Sequence, residues 1–132
     1  MTKPFGFPNK EKLKSRKAIE SLFASGHRFS VFPVMVWYKM AKHETGGSLH
    51  VGVSCSKKHF KKAVDRNRVK RLLREAYRLQ KAELVEAVDN NSVKLEVFFV
   101  FIDKTLPTFP TIQASMKKCL ASLQKKANEC TV

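Results

Sequence analysis

The sequence predicts an α+β fold: one compact domain in the order α-β-β-α-β-α, with a small mixed sheet, helices packed on it and a basic helix after the second strand. Three observations predict it. The chain has 132 residues, 43% of them hydrophobic, enough for one modest core. Residues 31–40, 49–54 and 93–102 alternate with the period of a strand. Stretches with helical spacing precede, separate and follow them. No internal repeat or linker divides the chain, so residues 1–10 read as a flexible basic arm, 11–127 as the domain and 128–132 as a frayed end.

In order, residues 13–24 read as a short helix with Ser15 as N-cap, Ile19, Leu22 and Phe23 on one face, and Gly26 as its stop. Lys10, Lys12, Lys14, Arg16 and Lys17 crowd its start, where the helix dipole disfavours cations. Such misplaced charge points to a polyanion. Residues 31–40 form the first expected strand, with Val34, Val36 and Tyr38 opposite Met35, Trp37 and Lys39 and an irregular start at Pro33. A turn with Gly46 and Gly47 leads to Leu49, Val51 and Val53, so the second strand is expected to pair back on the first as a hairpin. Residues 83–92 read as a helix tail and loop. Residues 93–102, apolar on both faces, read as the central strand. Thr108 or Thr111 then caps a last helix over 109–126, with Ile112, Met116, Leu120 and Leu123 inward and Lys117, Lys118, Lys125 and Lys126 outward.

The informative stretch is 54–81. Between Lys57 and Lys81 it carries eleven Lys or Arg against two acids, Asp65 and Glu75. At about 100° per residue Val69, Leu72, Leu73, Ala76 and Leu79 fall on one arc of a helix. Arg66, Lys70, Arg74 and Arg78 step along another, with Asn67 and Arg71 beside them. An ordinary solvated face would interleave Glu, which here is almost missing. The reading is an amphipathic helix that docks its apolar stripe and offers its cations to nucleic acid. Net charge is +15 and the pI about 10.1, which favours polyanionic partners and salt-sensitive binding. Three cysteines without a framework pattern suit a reducing compartment. With no signal-like apolar stretch at the start and no membrane-length apolar run, the expected location is cytoplasmic. The Val, Leu and Ala stripe argues against an interfacial membrane helix.

Catalysis by the chain itself finds little support. His27, His43, His50 and His59 are scattered, and Cys55 with His59 has no second ligand pair for zinc. Asp65 and Glu75 are too few and too separated for a metal-ion nuclease. Binding is better served. Arg66, Arg68, Lys70, Arg71 and Arg74 can neutralise phosphates, and Asn67 can bond sugar or base edges. Arg68 lies between the two arcs, so a contact to its own chain competes with a phosphate contact. Phe23, Phe32, Trp37, Phe98, Phe99 and Phe101 are candidates to stack unpaired bases, although the core is the more natural place for Phe99 and Phe101. A structural, ribosomal-type RNA-binding protein and a duplex DNA-binding module remain open on charge and pattern alone; one good base-reading amide and no dimerisation heptads weigh against the second.

The run Val53-Ser54-Cys55-Ser56-Lys57-Lys58, followed by Ala63-Val64-Asp65-Arg66-Asn67-Arg68-Val69-Lys70-Arg71-Leu72-Leu73-Arg74-Glu75, resembles the signature of the bacterial ribonuclease P protein subunit. The resemblance spans about residues 13–126. It implies a ribosomal-protein-like α+β fold with a left-handed crossover around the basic helix. It implies assembly with a catalytic RNA that holds Mg2+ and hydrolyses one phosphodiester of precursor tRNA, releasing the 5′ leader; no protein partner, membrane or protein-bound cofactor is implied. Carried over by motif, the surface facing that RNA comprises Lys57, Lys58, Lys62, Arg66, Asn67, Arg68, Lys70, Arg71, Arg74 and Arg78. The cleft for the single-stranded leader comprises Arg16, Ile19, Phe23, Trp37, Ser54 and Ser56. Ile19 departs from an aromatic common in the family, and Trp37 replaces a more usual Tyr or Phe.

Overall fold

The structure is a computed structural model and describes residues 16–42, 47–55 and 58–129. Eight elements succeed one another: α1 (Arg16–Ser25), β1 (His27–Val31), β2 (Val34–Lys42), β3 (Ser48–Cys55), α2 (Ala63–Gln80), α3 (Ala82–Asn90), β4 (Val93–Phe101) and α4 (Phe109–Glu129). The strands form one mixed sheet in the order β1-β2-β4-β3, with β3 parallel to β4 and the other pairs antiparallel. The expected arm and the last three residues, 130–132, lie outside the described residues.

The expected α+β class holds, but the strand pairing differs from expectation. β2 and β3 do not form a hairpin. The segment expected as one strand over 31–40 breaks at Phe32-Pro33, and its start folds back as β1, pairing His27 with Tyr38 through Val31 with Val34. β2 then takes β4 as its second neighbour, and β3 closes the far edge. The physical reason lies in β4. Val93, Leu95, Val97, Phe99 and Phe101 are all buried on one face, while Phe98 and Val100 are half-buried on the other. A strand apolar on both faces gains most from an interior position, and inserting it separates β2 from β3. The β3-to-β4 connection is therefore a crossover through α2 and α3.

The inner face of the sheet carries the core. Val34, Val36, Leu49, Val51 and the buried β4 row pack against α2, α3 and α4. On α2 the buried side chains are Val69, Leu73, Ala76 and Tyr77, with Leu72 half-buried. Leu79, expected on the docking stripe, is instead 39% exposed. Tyr77 takes the deeper place, its ring centroid 6.2 Å from that of Phe99. The buried arc of α2 runs through Val69, Leu73, Ala76 and Tyr77, and at about 100° per residue Leu79 falls at its margin. Val69 and Leu73 each contribute about 1.5–3 kcal/mol of apolar transfer.

Two further boundaries differ from expectation. The segment 83–92, expected as helix tail and loop, is α3, which buries Leu84, Ala87 and Val88 at helical spacing. Lys81, almost fully buried with Nζ 5.9 Å above the Tyr77 ring, marks the joint between α2 and α3. Gly47 explains why α3 can sit so close to the start of β3: a Cβ there would lie 2.3 Å from the Val88 carbonyl oxygen. At the other end, α4 continues to Glu129, past the helix end expected at residue 126. Ala127 is buried, and Nδ2 of Asn91 donates to Oδ1 of Asn128 at 2.9 Å. Ser115, buried in α4, donates from Oγ to the Val31 carbonyl and so ties α4 to the β1–β2 turn.

α1 lies on the opposite, outer face. It is the one described helix there, and it leaves much of that face uncovered.

Candidate nucleic-acid interface

The registers organise the outer face into rungs. Met35, Val100 and Ser54 form one; Arg28, Trp37, Phe98 and Gly52 the next; Lys39, Glu96 and His50 a third. α1 crosses the second rung. Phe23 meets Trp37 edge-on at 5.1 Å between ring centroids and Phe98 at 5.3 Å. The guanidinium of Arg28 lies 5.4 Å over the Trp37 ring. Phe23 stays 40% exposed while Leu22, one residue earlier on α1, is fully buried. Helical spacing thus gives α1 one anchor in the protein and one aromatic on the surface. Partly exposed aromatic rings have the chemistry to stack unpaired bases, each stack contributing roughly 1–3 kcal/mol.

The expected cleft residues are partly brought together. Phe23 and Trp37 touch, Ile19 is half-buried one turn before Phe23, and Ser54 is half-buried on the first rung. Arg16 begins α1, but its side chain lies outside the described residues, as do Ser56 and Lys57. The aromatic set divides. Phe99 and Phe101 are core, at 0% exposure, whereas Phe98 lies on the outer face against Phe23. Phe32, 69% exposed, sits at the β1–β2 turn and joins none of the rungs. Arg28 escapes a reading of the sequence that does not make residues 27–30 a strand. Its signal is the short alternation of His27, Phe29 and Val31 with Arg28 and Ser30.

The basic surface runs along α2. Lys58 and Lys62 are exposed in the approach to the helix. Asn67, Arg68, Arg71 and Arg74 are exposed and make no hydrogen bond or ion pair among the described residues. Arg68 therefore makes no side-chain hydrogen bond or ion pair to the described chain, whereas Arg66 is bonded to main-chain carbonyls. Its Nη1 donates to the Phe60 and Lys61 carbonyls, both at 2.8 Å. The α2 N-cap, Lys62, supplies no side-chain cap, so Arg66 braces the turn that leads into the helix. Lys70 is half-buried, and Arg78 pairs with Glu75, whose carboxyl is held below its usual range by that hydrogen bond. Burial pushes the Cys55 thiol up, and the charges of Arg66 and Lys70 pull against it. The end of β3 thus meets both surfaces: Ser54 looks to the cleft, and Cys55 to the first turns of the basic helix.

Among the described residues no three His, Cys, Asp or Glu side chains gather as a metal-ligand set. None of the described helices is long and apolar enough to cross a membrane.

Comparison with known proteins shows the family and the fold. Residues 7–124 match the family model described as Ribonuclease P. The ribonuclease P protein component of Porphyromonas gingivalis is 38% identical over 122 residues, covering 91% of this chain and 89% of that protein. That of Chlorobaculum tepidum is 30% identical over 125 residues, covering 88% and 81%. Among solved structures, the RNase P protein from Thermotoga maritima aligns with a TM-score of 0.65 at 20% identity, over 85% of this chain and 96% of that one. The Staphylococcus aureus RNase P protein aligns at 0.61 and 21% identity, over 85% and 94%. These two structural likenesses are of fold.

Proposed function

The chain belongs to the ribonuclease P protein family, and from that premise we propose that it is the protein subunit of a ribonucleoprotein that removes the 5′ leader from precursor tRNA. The family implies an RNA partner and a tRNA-processing ribonuclease holoenzyme. Within that holoenzyme, the exposed cations of α2 bind the catalytic RNA, and the cleft between α1 and the outer sheet face holds the single-stranded leader. The observation that carries this reading is the half-exposed cluster of Phe23, Trp37 and Phe98 under Arg28. It offers stacking to unpaired bases, which a purely structural phosphate binder does not need.

In this reading the chain's own residues bind and orient. Arg68, Arg71 and Arg74 screen phosphate repulsion between two RNAs, and each phosphate neutralised releases counterions. Arg66 holds the turn that sets the direction of α2. Trp37 and Phe98 fix the leader by stacking, and Ser54 lies where that cleft approaches the basic helix. The Mg2+ ions that the family implies are assigned to the RNA, where they supply a Lewis acid and a metal-bound nucleophile.

Cleavage of a precursor tRNA at low magnesium tests the proposal, with the protein alone, a bacterial ribonuclease P RNA alone and the two together. Cleavage at the mature 5′ end in the mixture alone is expected. Cleavage by the protein alone, or tight RNA binding without rescue of cleavage, overturns it.

A further inference from the structure

One rung of the outer face is chemically unlike its neighbours. Lys39, Glu96 and His50 stand in register on β2, β4 and β3, next to the aromatic rung. Successive rungs on one face are two residues apart, roughly 6.7 Å. Glu96 is half-buried and, among the described residues, makes no hydrogen bond or ion pair, although Lys39 is its cross-strand partner. Nζ of Lys39 reaches Ser21 Oγ instead, at 3.4 Å. Nδ1 of His50 is buried and has no hydrogen-bond partner among the described residues. The rung therefore carries a carboxylate that has no hydrogen bond or ion pair among the described residues, between a lysine and a histidine on the outer sheet face.

A carboxylate repels phosphate, so a backbone contact does not account for Glu96 there. Its lone pairs suit the N–H donors of a nucleobase edge. We propose that the Lys39–Glu96–His50 rung reads the edge of the nucleotide next to the one stacked on Trp37 and Phe98, and selects guanine. The proposal rests on the leader-cleft reading above. Guanine presents N1–H and N2–H side by side, one for each carboxylate oxygen, with O6 beside them to accept from the Lys39 ammonium. Uracil presents one N–H between two carbonyls, and both carbonyls face the carboxylate unfavourably. Adenine and cytosine each present an amino group next to a bare ring nitrogen, whose lone pair opposes the second oxygen.

The test uses the full chain and eight-nucleotide RNAs: all uridine, uridine with one central guanosine, and uridine with one central adenosine. Binding is read by anisotropy of an end label and by fluorescence of Trp37, the single tryptophan. The guanosine RNA is expected to bind about tenfold tighter than all-uridine, equivalent to ~1.4 kcal/mol, with adenosine close to uridine. Glu96→Gln abolishes the difference between the guanosine and all-uridine RNAs, and Lys39→Met removes roughly a third to a half of that difference on a logarithmic scale. A guanosine gain that survives Glu96→Gln overturns the proposal, as does its absence in the unsubstituted protein. Should Glu96→Gln fail to fold, an undiminished gain in Lys39→Met overturns it equally. Binding that depends on Trp37 without base preference overturns this inference alone. Failure of every RNA to bind, with no effect of Trp37→Ala, removes the cleft reading and this inference with it.

Discussion

Replacing Arg66 with alanine separates two roles that one side chain combines. Nη1 donates to two carbonyls at 2.8 Å, that of Phe60 in a half-buried setting and that of Lys61 in an exposed one. A hydrogen bond to a charged group contributes about 1.5–3 kcal/mol when shielded. The exposed bond adds at most a few tenths, because water replaces it. The expected loss is about 2 kcal/mol, and for a domain of this size each kcal/mol lowers Tm by roughly 3–6 °C. The remaining guanidinium N–H groups are free to face phosphate, so the salt slope of RNA binding falls by about 0.9 as well. Arg68→Ala is the matched control. Arg68 is exposed and makes no hydrogen bond or ion pair among the described residues, so its loss lowers the slope with Tm unmoved. Thermal melts and a salt titration of RNA affinity read both quantities. A Tm unchanged in Arg66→Ala refutes the bracing argument; an unchanged slope refutes the phosphate contact.

Trp37→Ala should narrow the preference for leader-bearing over mature tRNA by about 5- to 150-fold, the range given by one lost stack of roughly 1–3 kcal/mol; equal loss on both substrates would make Trp37 a packing residue. Phe99→Ala should destabilise the fold by about 3–5 kcal/mol through a core cavity, seen in denaturant melts, and a near-neutral result would contradict its burial. Burial pushes the Cys119 thiol up to about 12 from 9.0. The unfolded thiol then ionises first, so the stabilisation from keeping it neutral is complete below pH 9 and is lost as pH rises toward 12. Native Cys119 should accordingly resist an alkylating reagent at about pH 8 that labels the unfolded chain at once, and equal labelling rates would count against this.

Much of the site was legible because it depends on local pattern. Arg68, Arg71 and Arg74 project outward simply because Val69, Leu73 and Ala76 must project inward on the same helix. The ordered motif around Ser54 and Arg66 carried the family. Phe23 and Trp37 were identifiable as cleft candidates by type and by resemblance. Arg28 was not, since nothing local required residues 27–31 to be a strand until β2 supplied an edge to pair with. Nor was the bracing role of Arg66 visible, because its acceptors are main-chain carbonyls that every residue possesses.

The sequence by itself determined the class of fold, the helical and strand periods, the excess of positive charge and the outward face of α2. These arise from side-chain order within single elements, where neighbours are set by covalent spacing. Tertiary structure alone decided that β4 enters between β2 and β3, that Phe98 comes to lie against Phe23, and that Leu79 stays at the margin of the buried arc. It alone brought Lys39, Glu96 and His50 onto one rung. Those outcomes depend on which strands become neighbours, a choice made by burying the whole apolar surface at once, and no window along the chain contains it.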